Sequence, residues 1–280
     1  MINVKDLRIR DPFVYTDRKN GCYYLCGTTD LLSGTIKAGN TFSVYKSYDL
    51  VNFEQPKVIF DSKKSNFYGK YNFWAGEIHE YCGKFYLFGT VMADGEKHAT
   101  QIFVCDTIDG EYKPLSPLAR TPKDYHCIDA TLYIDNSTPY MVFVKEWVDV
   151  KDGEICAVQL KNDLSAPVGE PFTLFSASSN PFVTDIFVEG YGNGNYVTDG
   201  PFLYKENGKL KMIWSSFSNG RYCIFTAVSN EIKGEWTHEK AVFDEDGGHA
   251  MIFYDLDGQR KLIMHSPNKS NEERVKILNF

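Results

Sequence analysis

The sequence predicts an all-β chain of five repeated units, a five-bladed β-propeller, and three observations carry the prediction. Short segments rich in Tyr, Phe, Val and Ile alternate with Gly, Asn and Asp turns, and helical periodicity is hard to find. A strand, a polar turn and a second apolar strand recur five times along the chain. Spread over 280 residues, five units receive about fifty to sixty residues each, the size of a four-stranded blade. A β-sandwich of hairpins accounts for the strands but not for their recurrence. We expect a single propeller domain over residues 1–280.

The units begin in order at Asp11 (DPFVYTDRKNGCYYLCGT), Trp74 (WAGEIHEYCGKFYLFGTV), Ile128 (IDATLYIDNSTPYMVFVKEW), Thr198 (TDGPFLYKENGKLKMIWSSF) and Gly248 (GHAMIFYDLDGQRKLIMHSPN). Four are followed by further strand-like stretches, such as SVYKSYDLVNFEQPKVIF and IFTAVSNEIKGEWTHEKAVF, which read as the outer two strands of each blade. In a propeller the innermost strands line the axis, so their leading residues meet at one end of the channel. Several of those residues are polar or ionisable: Asp11, the Glu77 region, Asp129, Asp199 and His249. Acids at the starts of buried strands are costly unless paired. Their recurrence at equivalent positions points to a site.

Composition narrows the ligand. A formal net charge of −7 argues against nucleic acid or an anionic membrane surface as partner. No apolar run reaches the ~18 residues of a membrane span. The N-terminus, MINVKDLRIRDPF, lacks the apolar stretch of a signal peptide. The seven cysteines fall mostly within predicted strands and form no CxxC pair, as buried reduced thiols would. These features together predict a cytoplasmic protein. Aromatic residues make up 15% of the chain and can stack on sugar rings, with Phe73, Trp74, Trp147, Phe182 and Tyr191 available near the strand mouths.

Three carboxylates around one pocket suit glycoside hydrolysis. An ionised one activates water, a protonated one gives its proton to the leaving oxygen, and a third tunes the donor by like-charge repulsion. The chain resembles glycoside hydrolase family 43, the five-bladed propellers that include arabinofuranosidases, β-xylosidases and arabinanases. The likeness rests on Arg10-Asp11-Pro12, Trp74-Ala75-Gly76-Glu77-Ile78-His79, Ile128-Asp129-Ala130, Asp199-Gly200-Pro201-Phe202-Leu203-Tyr204 and Gly248-His249-Ala250-Met251-Ile252-Phe253. They occur in the family's order across nearly the whole chain.

The resemblance implies Asp11 as general base, Asp129 as the residue that tunes the acid, and Asp199 as general acid. The family's acid is a glutamate in a Glu-Gly-Pro motif, and here the motif reads Asp199-Gly200-Pro201. Aspartate is one methylene shorter, so Glu146 in VFVKEWV is a rival donor and Glu189 a weaker one. Substrate contacts are expected from Trp74, Glu77, His79, Trp147, Arg221 and His249. Glu77 and His79 share one side of a strand and either bind sugar hydroxyls or pair with each other; His265 closes a hydrogen-bond network or lines the pocket.

By resemblance His249 also becomes a ligand, direct or through water, to a structural calcium at the axis, although calcium prefers oxygen. No cofactor is required. The expected reaction is inverting removal of terminal α-L-arabinofuranosyl residues from plant-derived oligosaccharides. The alternatives are a β-xylosidase, an exo-acting galactosidase, or a carbohydrate-binding propeller without catalysis.

Overall fold

The computed structural model describes residues 1–29 and 39–280. Five antiparallel sheets are arranged as the blades of a propeller. Blade 1 is built on Arg10–Asp17, Cys22–Thr28 and Thr41–Ser47, with Lys57–Asp61 and the short strands Ile2–Asn3 and Asn52–Phe53 on its outer side. Blade 2 runs Tyr71–Tyr81, Lys84–Met92, Ala99–Cys105 and Lys113–Pro114; blade 3 runs Cys127–Asp135, Thr138–Lys145, Glu154–Leu160 and Pro167–Ser176. Blade 4 runs Asp199–Glu206, Lys209–Ser218, Arg221–Ser229 and Thr237–His238. Blade 5 has three strands among the described residues, Gly248–Tyr254, Arg260–Ser266 and Arg274–Asn279. A short helix, Trp147–Val150, and a hairpin of Ile186–Val188 with Gly192–Asn195 lie outside the repeat.

Packing between blades explains the aromatic content. Phe42, Phe60, Phe67, Phe73 and Phe103 interlock where blade 1 meets blade 2, with ring centroids between 4.6 and 6.4 Å apart. Trp214, fully buried, packs on Phe175 and Phe225 between blades 3 and 4. Such tilted and edge-on contacts add to the area these rings remove from water.

Each inner strand carries the same irregularity. The pairing slips between Arg10 and Phe13, Trp74 and Glu77, Ile128 and Thr131, Asp199 and Phe202, and Gly248 and Met251. Just inside each slip stands a residue with positive φ: Asp11 (53°), Ala75 (45°), Asp129 (56°), Gly200 (49°) and His249 (49°). Four of the five are not glycine, so the strand mouths store backbone strain. What holds them is a ring of hydrogen bonds running from blade to blade. Ala75 N–H donates to Thr28 Oγ1 at 2.8 Å, Asp129 N–H to Thr90 Oγ1 at 3.0 Å, and His249 N–H to Ser215 Oγ at 2.8 Å. Asp11 N–H donates to His265 Nδ1 at 3.3 Å, which closes the ring between blade 5 and blade 1. All four acceptors stand opposite the first residue of a slip, and in blade 3 that place belongs to Val144, which has no acceptor. There Gly200 N–H turns instead to Asp129 Oδ2, 3.2 Å away.

Candidate active site

The ring of bulges aims Asp11, Asp129 and His249 at the same end of the axis. His249 Nδ1 lies 3.2 Å from Asp11 Oδ1 and 3.5 Å from Asp129 Oδ2, so one imidazole bridges two carboxylates. Asp11 also accepts the Thr28 hydroxyl at 2.6 Å, and His265 Nδ1 lies 3.6 Å from its other oxygen. Asp199, from the first position of the blade 4 slip, accepts the Tyr222 hydroxyl at 2.8 Å. Three acids from blades 1, 3 and 4 are thus brought together.

Their proton affinities diverge, and the causes are local. Burial by itself raises the Asp11 carboxyl, but His249, then Arg10 and His265, overrule it and hold Asp11 far below the usual carboxylate range. Asp129 is raised to about 7, by burial first and then by Asp11, against the pull of His249. Asp199 is raised well above the ordinary value, by burial and by Asp129; the Tyr222 hydrogen bond opposes the shift and loses. His249 is carried up to about 10 by Asp11 and Asp129 in spite of its burial. The charge settles on Asp11 because it has the shorter contact with His249 and lies beside Arg10, whose guanidinium is 3.2 Å from Glu273. Burial and Arg10 push His265 down to about 3, leaving a neutral Nδ1 to accept the Asp11 amide. Two buried carboxyls of opposite affinity are what a base and an acid require.

The other expected site residues divide. Trp74 opens the blade 2 strand mouth, half-buried, with its ring 4.6 Å from His98. Trp147 starts the short helix and meets Tyr191 edge-on at 5.0 Å. Glu77 and His79 pair with each other at 3.0 Å, and His79 packs between Phe13 and Phe88. Of the two readings open to them, the mutual pairing is the one observed. His249 is likewise buried behind the acids and orients them. Arg221 is exposed beside Phe182, Asn219, Lys240 and Asp244. Alternation puts its neighbour Tyr222, not Arg221, on the Asp199 side. The expectation of a substrate contact from Arg221 is therefore not supported. Glu146 faces His98 at 3.0 Å, and Glu189 is exposed in the 186–195 hairpin.

Tyr222, Thr28, Ser215 and Thr90 were not among the expected residues. A signal exists for three of them: a hydroxyl residue recurs near the end of the second strand of blades 1, 2 and 4.

A family model described as glycosyl hydrolases family 43 matches residues 3–279. The chain belongs to this family. An endo-arabinase from Bacteroides thetaiotaomicron superimposes with a TM-score of 0.90 at 39% identity, over 100% of this chain and 96% of that one. Two curated relatives are each 23% identical: an α-L-arabinofuranosidase 43 of Humicola insolens, over 76% of this chain and 49% of that protein, and a probable arabinan endo-1,5-α-L-arabinosidase A of Aspergillus clavatus, over 77% and 59%. This family-43 chain thus spans about half to three-fifths of the curated relatives' length.

An axial calcium, as the family implies, does not match the residues at hand. His249 Nε2 is buried with no hydrogen-bond partner among the described residues, but it is a single nitrogen, and the ring's other nitrogen is taken by Asp11 and Asp129. Calcium takes six to eight oxygens.

Proposed function

We propose that the protein hydrolyses α-L-arabinofuranosidic bonds with inversion, Asp11 acting as base and Asp199 as acid. One observation carries the reading: among acids converging on one strand-mouth cluster, Asp11 meets the His249 imidazole at 3.2 Å, which lowers its proton affinity, while burial and Asp129 raise that of Asp199. Asp11 takes a proton from a water as that water attacks the anomeric carbon. Asp199 gives its proton to the departing oxygen. Asp129 keeps the Asp199 proton in place by its position and anchors Gly200 beside it. Glu146, already facing two imidazoles, is the poorer donor.

The sugar assignment is supported by likeness to an endo-arabinase at 39% identity over the full chain. That likeness favours cleavage within a chain of arabinosyl units over removal of a terminal residue. A shelf of Trp147 and the half-exposed Tyr191, with Phe187 in the same hairpin, offers stacking faces for more than one sugar. Terminal cleavage is the second reading, supported by the arabinofuranosidase among the relatives.

Product analysis on linear arabino-oligosaccharides decides between them. Internal cleavage releases mixed short products at once. Arabinose alone from the first minutes would return the terminal reading, and no turnover of any arabinoside would sink the proposal.

A further inference from the structure

Three side chains outside the acid cluster meet where blade 2 packs on blade 3. His98 immediately precedes the third strand of blade 2, His126 precedes the inner strand of blade 3, and Glu146 follows its second strand. His98 Nδ1 lies 3.0 Å from Glu146 Oε2 and 3.1 Å from His126 Nδ1, while His126 Nδ1 lies 3.8 Å from the same carboxylate oxygen. The circle through three atoms at those separations has a radius of about 2 Å, the length of a zinc bond to nitrogen or oxygen. An ion just off their plane touches all three. The mean separation also matches the edge of about 3.3 Å expected between ligands of a tetrahedral ion.

A neighbouring orphan supports a cation here. Asn72 is fully buried, its Nδ2 sits 3.1 Å from His98 Nε2, and its Oδ1 has no hydrogen-bond partner among the described residues. Turning the amide over, a choice the heavy atoms do not dictate, places Oδ1 on the Nε2–H of His98. Oδ1 then has a partner in the imidazole N–H, Nδ2 takes over the partnerless position, and the Nδ1 lone pair of His98 faces Glu146 and His126. Metal-bound histidines commonly donate their second nitrogen to such a carbonyl. Three acceptors facing one another call for a positive charge between them.

The surroundings permit one. The Lys97 ammonium, next to His98 in sequence, is held by Asp149, which also accepts the backbone N–H of His126. The side chains of His98, His126 and Glu146 are 11%, 23% and 15% exposed, enough for entry from solvent and for a water in a fourth position. Binding displaces one contact, the backbone N–H of His98 on His126 Nδ1 at 3.0 Å.

We propose that His98, His126 and Glu146 bind one divalent transition-metal ion of the zinc class, stapling blade 2 to blade 3 beside Trp74. Two imidazoles and one carboxylate select such ions over magnesium or calcium. The staple supports the strand mouth that carries Trp74, whose ring packs on His98. The inference is independent of the sugar assignment.

Chelator-treated protein titrated with zinc chloride in a calorimeter tests it, with cobalt(II) as a spectroscopic probe. The expected result is one ion per chain, the visible bands of tetrahedral cobalt, and a higher Tm with zinc than without. His126→Gln and Glu146→Gln should each weaken binding at least about tenfold. His238→Gln, in the outer strand of blade 4, should leave it unchanged. Absence of one-to-one binding in the wild type, or binding that survives both substitutions, overturns the proposal.

Discussion

Asp11 and Asp199 differ in what surrounds them more than in what they are. Both are buried aspartates, but Asp11 faces His249, Arg10 and the Thr28 hydroxyl, whereas Asp199 faces Asp129 and a phenol. Asp199→Asn should lower kcat/KM on arabino-oligosaccharides by about 10²–10⁴-fold, yet spare a nitrophenyl arabinoside, whose leaving group needs no proton. Equal losses on both substrates would remove Asp199 from the acid's role. The sign of the pH dependence follows. Asp199 works protonated, so activity persists through mildly acidic pH and falls as pH rises through its elevated pKa. The Tyr222 hydrogen bond favours the ionised form, so Tyr222→Phe should move that basic limb to higher pH. An unmoved limb would separate Tyr222 from the titrating acid.

His249 adds a stability term of its own. Its folded value of about 10 exceeds the ordinary 6.5 of a free imidazole, so its contribution is complete below about 6.5 and is lost as pH rises to about 10. Replacing it with glutamine should flatten the fall in Tm between those limits.

At the level of elements, the recurring unit is a strand mouth with a strained residue and a cap from the neighbouring blade. Thr28 serves twice, accepting Ala75 N–H and donating to Asp11. Thr28→Val keeps the shape and removes both bonds, leaving a buried amide unsatisfied. Urea unfolding should register a loss of about 1–3 kcal/mol, along with reduced turnover; turnover reduced without that loss would mean the cap is not structural. Gly200 is a tight point of the ring. A Cβ there would stand 2.7 Å from the His249 ring, and φ is +49°. Gly200→Ala should therefore cost about 1–3 kcal/mol and displace the imidazole that sets the Asp11 charge, read as a lower Tm together with a lower kcat.

The whole molecule depends on closing blade 5 against blade 1. Closure uses side chains spanning more than 230 positions of sequence: Arg10 to Glu273, Val14 N–H to Met251 Sδ, Thr16 to the Tyr254 carbonyl, and Leu256 N–H to the Tyr23 hydroxyl. Glu273 is almost wholly buried and answers both Arg8 and Arg10. Removing one partner of a buried ion pair typically costs 3–5 kcal/mol, so Glu273→Ala should lower the urea midpoint by the equivalent of about 3 kcal/mol. An unchanged midpoint would place the closing energy in the apolar contacts instead.

Five strand pairs and their order were legible because alternation and turn residues are local properties, and the acids were legible because Asp11 and Asp129 stand at the same place in their units and Asp199 one residue before it. Local pattern could not say that Tyr222 rather than Arg221 would turn towards Asp199. That choice follows from strand register, which one residue of slip reverses. Nor could it show that Glu77 would be taken by His79, or Glu146 by His98. By itself the sequence determined the propeller, its five strand mouths and the three acids, since each is written into short segments. Which acid keeps its proton was decided only in the tertiary structure. Asp11 and Asp129 compete for one imidazole drawn from a strand some 120 or more positions away, and no local pattern encodes the distances that settle the contest.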